Sequence, residues 1–170
     1  PYRIKVMWAL GFAYQLQGDR ALAREVYTEA INIGQSSGNI YYTILATSGL
    51  GDVQVLENQL HLAAETYRHV LQLHGDDPQP IAGEDHLGLA RICYEWNDLD
   101  TAERHAQQSC QLERLYEPVI DRLIISEVFL ARLKLARGDV TGAATMLAQT
   151  EQTARQKNFI LRLPEIAAVQ

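Results

Sequence analysis

The sequence predicts an all-α fold in which antiparallel helix pairs stack as an α-solenoid, and three observations lead there. A short polar corner followed by alanine recurs four times, ending at Ala23, Ala63, Ala102 and Ala143, spacings of 40, 39 and 41 residues. Such a fixed period marks stacked supersecondary units. Alanine and leucine together make up roughly a quarter of the chain, and no β-branched alternation competes with them. Prolines, which disrupt helix interiors, fall between the proposed pairs at Pro78, Pro80 and Pro118.

The elements follow in order from the corners. These read Gly18-Asp19-Arg20-Ala21-Leu22-Ala23, Asn58-Gln59-Leu60-His61-Leu62-Ala63, Asn97-Asp98-Leu99-Asp100-Thr101-Ala102 and Gly138-Asp139-Val140-Thr141-Gly142-Ala143. Gly or Asn can take the left-handed conformation that ends one helix, and the next polar residue can cap the following one. Before the first corner, Val6, Leu10, Ala13 and Tyr14 carry helical spacing. Behind it, Ala23, Val26, Tyr27 and Ala30 do the same. The expected pairs are 3–17 with 20–36, 40–57 with 60–73, 80–96 with 99–115, and 118–136 with 140–156. A partial helix from 160 to 170 completes a single repeat domain, and Pro164 must occupy its first turn unless that helix starts later.

Composition excludes several functions. The 170 residues carry 15 Lys+Arg against 21 Asp+Glu, a formal charge of -6 and a pI near 5.3. With no dense basic block, this segment is not expected to bind nucleic acid directly. No apolar run approaches the roughly 20 residues that span a bilayer, and no secretory leader pattern opens the chain, so the expectation is a cytoplasmic protein without membrane contact. Cys93 and Cys110 are too few for a disulfide framework and read as buried thiols. The start at Pro1 in place of Met suggests a piece of something longer.

These residues resemble a tetratricopeptide-type (TPR-like) repeat. The first unit matches it at Leu10-Gly11, Tyr14, Gly18, Ala23, Tyr27 and Ala30. The second keeps Leu50-Gly51, Ala63 and Tyr67 with Gln54 for the tyrosine, while the third and fourth keep Leu89-Ala90 with Ala102 and Leu130-Ala131 with Ala143. Units near 40 residues, with Leu130-Ala131 running through Gly138-Asp139 to Ala143, are similar to the repeat region of the large ATP-dependent LuxR-type transcriptional regulators, the maltose-regulon-activator-like group. The resemblance implies signal sensing: a small-molecule effector or a protein partner is received by the repeats, while ATP and DNA are handled by separate modules. No Gly-x-x-x-x-Gly-Lys-Ser/Thr occurs here, so no cofactor is expected in this segment. A general protein-docking scaffold unconnected with transcription is the alternative.

The family's inward positions, on the first helix of each pair, fall at Lys5, Trp8, Phe12 and Gln15, then Ser48 and Asp52, then Arg91 and Tyr94, and finally Val128 and Arg132. Mixed apolar and polar character suits a ligand groove, though Trp8, Phe12 and Val128 could equally be interhelical core and the arginines could pair with Glu95 or Glu127. His61, Glu65 and His69 share one helix face but diverge too far along a straight helix to wrap one metal ion, so that face reads as solvated. His74, His86 and His105 have no carboxylate or thiol at catalytic spacing, and no serine stands in a nucleophile elbow, so no enzyme activity is expected. Self-association through apolar end faces is a further expectation. Ala102→Leu should overpack the third helix pair and cost about 1 to 3 kcal/mol, read as a lowered melting temperature.

Overall fold

The computed structural model describes residues 2–75, 79–115 and 120–169. Among them are α1 (Tyr2–Gln17), α2 (Arg20–Ser37), α3 (Ile40–Leu56), α4 (Leu60–His74), α5 (Ala82–Glu95), α6 (Leu99–Arg114), α7 (Ile120–Ala136), α8 (Val140–Gln156) and α9 (Leu163–Ala167), with no strand. Each expected helix of the four pairs is present, with its ends within two residues of expectation. The last segment differs: a 3-10 turn (Ile160–Arg162) precedes α9, and Pro164 lies in the first turn, where its missing N–H breaks no bond. Pro78 and Pro118 lie outside the described residues, and Pro80 sits in the turn before α5.

The corners work as their chemistry requires. Gly18 (φ 82°), Asn58 (61°), Asn97 (58°) and Gly138 (82°) are left-handed. In each corner the next amide reaches back across the turn: Asp19 N–H to Tyr14 O at 3.0 Å, Gln59 to Gln54 at 2.8 Å, Asp98 to Cys93 at 2.9 Å and Asp139 to Lys134 at 2.9 Å. This is the Schellman closure that satisfies the final carbonyls of the first helix. Asp19, Asp98 and Asp139 then accept from the N–H groups of Leu22, Thr101 and Gly142 and so cap the second helix, whereas Gln59 makes no side-chain cap bond. The Asp98 and Asp139 carboxyls are held below the usual range, Asp98 chiefly by its hydrogen bonds to Thr101 and Asp139 by those to Lys134 and Gly142.

The chain divides into two compact units, 1–77 and 78–170. In the first, α1 packs on α2, α2 on α3 and α3 on α4, and α1 also touches α3. Its core joins Ile4, Ala23, Tyr27, Ala30, Ala46 and Val53. The second follows the same order from α5 to α8, with α5 touching α7 and α9 folding back on α7 and α8. One of its clusters joins Leu87, Ala90, Ala102, Ala106, Phe129 and Leu133, and another joins Ile124, Val128, Ala131, Ala143, Leu147 and Ile166. Cys93 and Cys110 are buried, and burial pushes the Cys110 thiol up to about 12.

Complementary volumes set the approach of the helices in each pair. The Tyr27 ring lies against Gly11 of α1 and Gly49 of α3, where added Cβ atoms would meet ring atoms, at 2.7 Å in the case of Gly11. Tyr67 lies against Gly51 in the same way, at 2.8 Å. The third and fourth pairs hold Ala90 with Ala106 and Ala131 with Leu147 at the corresponding places, all four buried. As the residue on the first helix grows, its partner on the second shrinks. Gly11→Ala should therefore destabilise the chain by about 1 to 3 kcal/mol. In chemical denaturation, the pair Gly11→Ala with Tyr27→Leu should lose less than the sum of the two single losses.

Candidate binding faces on the first helices

Contact between α1 and α3 brings together the candidate residues of the first unit. Trp8, half-buried, stacks on Phe12 with ring centroids 6.3 Å apart and 13° between planes. It also leans on Tyr42 at 6.2 Å, and Tyr42 meets Tyr41 edge-on at 5.2 Å. Phe12 remains 47% exposed and Tyr41 59%, so this four-ring patch keeps apolar area open to solvent. Lys5 is exposed on the same helix as Trp8.

Polar residues one to two turns along are positioned by tyrosines from the second helices. The Tyr27 hydroxyl donates to Gln15 Oε1 at 2.9 Å, and the Tyr67 hydroxyl donates to Asp52 at 2.6 Å. Gln15 Nε2 in turn reaches Asp52 at 3.5 Å. Burial and the nearby Asp52 charge both raise the Tyr27 phenol, which therefore stays protonated and a donor. Ser48 turns its hydroxyl back to Ile44 O of its own helix at 3.1 Å.

In the second unit, Tyr94 meets Phe129 edge-on at 5.9 Å and is half-buried, while Arg91 and Arg132 are exposed. Val128 is 8% exposed and belongs to the core cluster with Ala131 and Leu147, so it is packing and not surface. Offset within a repeat names the helix face only to within one residue, about 100° of rotation, and here that residue points inward. Glu127 does not serve Arg132: it accepts from Arg114 at 2.7 Å and from the Thr150 hydroxyl at 2.9 Å. Arg132 has no ion-pair partner among the described residues.

Three features escaped the sequence reading. Tyr41 and Tyr42 extend the aromatic patch; Tyr42 stands one repeat beyond Tyr2, a signal that was available. His86 and His105 bring their Nδ1 atoms to 2.8 Å between α5 and α6, although they lie 19 residues apart. Glu113 is buried in α6. His61, Glu65 and His69 are all exposed on α4, and no cluster of three metal-ligating side chains occurs among the described residues. No helix among them is long and apolar enough to cross a membrane.

Paired antiparallel helices with this corner and this small-to-large complementarity define a TPR-like helical repeat protein. The family model of the MalT-like TPR region matches residues 1–170, and the chain belongs to that family. Solved structures agree on the fold. The apo form of RapI is similar with a TM-score of 0.79 at 9% identity, covering 92% of this chain and 57% of its own. The Rap conjugation gene regulator of plasmid pLS20, in complex with the Phr* peptide, gives 0.78 at 16%, covering 92% and 43%. A putative kinesin light chain of Podospora anserina with nearly identical TPR-like repeats gives 0.71 at 18%, covering 91% and 76%. This chain thus spans less than two thirds of either Rap protein. No curated protein matches it.

Proposed function

We propose that this chain is the signal-receiving repeat segment of a LuxR-type transcription regulator, holding an effector on its first-helix faces. Membership of the MalT-like TPR family over residues 1–170 is the observation that carries the reading. The first unit supplies suitable chemistry. The Trp8–Phe12 stack offers an apolar platform, and Gln15 and Asp52, fixed by Tyr27 and Tyr67, offer an amide and a carboxylate whose positions are set before a ligand arrives. Exposed Lys5 adds a cation beside the platform, and Arg132 supplies an anion contact on the second unit. ATP and DNA would be bound by modules elsewhere in the parent protein, which would act in the cytoplasm. The segment itself performs no catalysis in this reading.

A second reading, docking of a short peptide independent of transcription, draws on the likeness to a Rap regulator whose structure holds the Phr* peptide. The same aromatic platform would take an apolar side chain of such a peptide.

A thermal-shift screen of small metabolites and short peptides tests both. The expected hit raises the melting temperature of the chain, and Trp8→Ala abolishes that rise for a ligand of the first unit, Arg132→Ala for one of the second. Stabilisation that survives both substitutions overturns the assignment of the faces. Sequencing the parent gene tests the regulator reading separately: an ATP-binding module before this segment and a helix-turn-helix after it are expected, and their absence leaves the docking reading.

A further inference from the structure

Aligning the first helices on Gly11, Gly51, Ala90 and Ala131, and the second on Ala23, Ala63, Ala102 and Ala143, exposes an anomaly in the third repeat. Near the open end of each pair, one position on the first helix and one on the second stand at matching offsets in every repeat. In the first repeat these are Ile4 and Gly34; a Cβ on Gly34 would stand 2.7 Å from Ile4 Cδ1. The second and fourth repeats also place isoleucine on the first helix, buried Ile44 and Ile124. In the third the pair is inverted and ionisable. Gly83 takes the isoleucine position, and Glu113 fills the space above it, with Glu113 Cγ 2.8 Å from where a Gly83 Cβ would be.

Glu113 is 1% exposed, and neither carboxyl oxygen has a hydrogen-bond partner by geometry among the described residues. The first-helix isoleucine packs this seam in the other three repeats, opposite positions occupied by Gly34, His74 and Ala154, so no other repeat places a carboxyl there. The surroundings have changed with it. Ser109 and Ser126, buried and 2.9 Å apart, replace Ala30 and Ala46 of the first unit. His86 and His105, with Nδ1 atoms 2.8 Å apart, replace Met7 and Val26.

We propose that the α5–α6 seam of the third repeat is a pH-responsive latch, packed while Glu113 is a neutral acid and loosened when that carboxyl ionises. A neutral carboxyl can sit in such a space, whereas a buried carboxylate carries a large desolvation penalty that the neighbouring Ser126 and Ser109 hydroxyls offset only in part. The charged neighbours do not remove it. On α5 the nearby acids are Glu84, paired with Arg122 of α7, and buried Asp85. On α7, Arg122 favours the carboxylate, while Glu127, already bonded to Arg114, opposes it. On α6 itself stand Ser109, the Cys110 thiol and Arg114. Burial outweighs the help from Ser126, Arg122 and Ser109 and pushes the Glu113 carboxyl up from 4.5 to about 7.

The direction follows from linkage. The unfolded carboxyl releases its proton near 4.5 and the folded one near 7, so the stability supplied by the neutral acid is complete below about 4.5, declines between the two values and is gone above about 7. The His86–His105 contact, Nδ1 to Nδ1 at 2.8 Å, is a separate polar contact of the same seam.

Hydrogen exchange of the whole chain between pH 5 and pH 8, corrected for the pH dependence of intrinsic exchange, reads the latch directly. Opening of the α5 and α6 amides should rise roughly tenfold or more across this range relative to Glu113→Gln, with α1 and α2 as the internal reference. Substituting Glu113→Gln leaves the histidine pair in place and so isolates the carboxyl. Should that variant fold poorly, Gly83→Ile with Glu113→Gly recreates the Ile4–Gly34 arrangement and should also remove the rise. A Glu113 carboxyl carbon that titrates in NMR within the ordinary carboxylate range, or α5–α6 opening that follows the same pH course in these variants as in the parent chain, overturns the proposal.

Discussion

The distance of closest approach between the two helices of a pair governs the rest of this structure. Ala23, Ala63, Ala102 and Ala143 are fully buried on the second helices, and twelve positions before each of them the first helix carries glycine or alanine. With backbones this close, whatever stands four residues further on the second helix must match the first helix in volume. Tyr27 and Tyr67 satisfy this by lying over glycines, and Ala106 and Leu147 by lying over alanines. The tyrosine solution has a second effect. Each phenol reaches past the seam with its hydroxyl and bonds a polar residue of a first helix, so the packing that builds the core also orients Gln15 and Asp52. Core and candidate face are therefore coupled through single side chains in the first unit. In the second unit Ala106 and Leu147 carry no hydroxyl, and Arg91 and Arg132 are exposed on α5 and α7.

The corners and the fold were legible in the sequence because both depend on local chemistry. A left-handed Gly or Asn followed by Asp acts within six residues, and the repetition of that signal fixed the helix pairs before any tertiary contact was considered. Val128 was legible only as a choice between groove and core, because that choice depended on helix rotation. An error of one position turns a groove residue into a core residue. The His86–His105 contact and the burial of Glu113 were hidden for a different reason. Sequence spacing within one helix cannot show that groups on two antiparallel helices meet, although aligning the third repeat on the first does show His86 and His105 at the positions of Met7 and Val26 and Glu113 at that of Gly34.

Ion pairs contribute less to the fold than their number suggests. Arg3–Glu29, Arg155–Glu151 and Arg114–Glu127 each involve an arginine more than half exposed, where solvent screens the attraction to a fraction of a kcal/mol, on the order of 0 to 1. Arg162 is better placed. Its guanidinium spans both oxygens of Asp121 at 2.7 and 2.8 Å, and this fork draws the Asp121 carboxyl below the usual range. That contact ties the turn before α9 to the start of α7, where the two cores of the second unit approach their ends.

The corner also sets where the gene can change length. In all four repeats the small residue of the first helix and the alanine of the second stand twelve positions apart, at Gly11 and Ala23, Gly51 and Ala63, Ala90 and Ala102, and Ala131 and Ala143. The differences in period therefore arise wholly between the alanine of one second helix and the small residue of the next first helix. An insertion inside a corner would rotate one helix against its partner and move every facing side chain of that pair, whereas one between pairs leaves the volume match within each pair intact. Drift in this lineage should thus accumulate as indels in the inter-pair connections, with whole corners duplicated or lost as units.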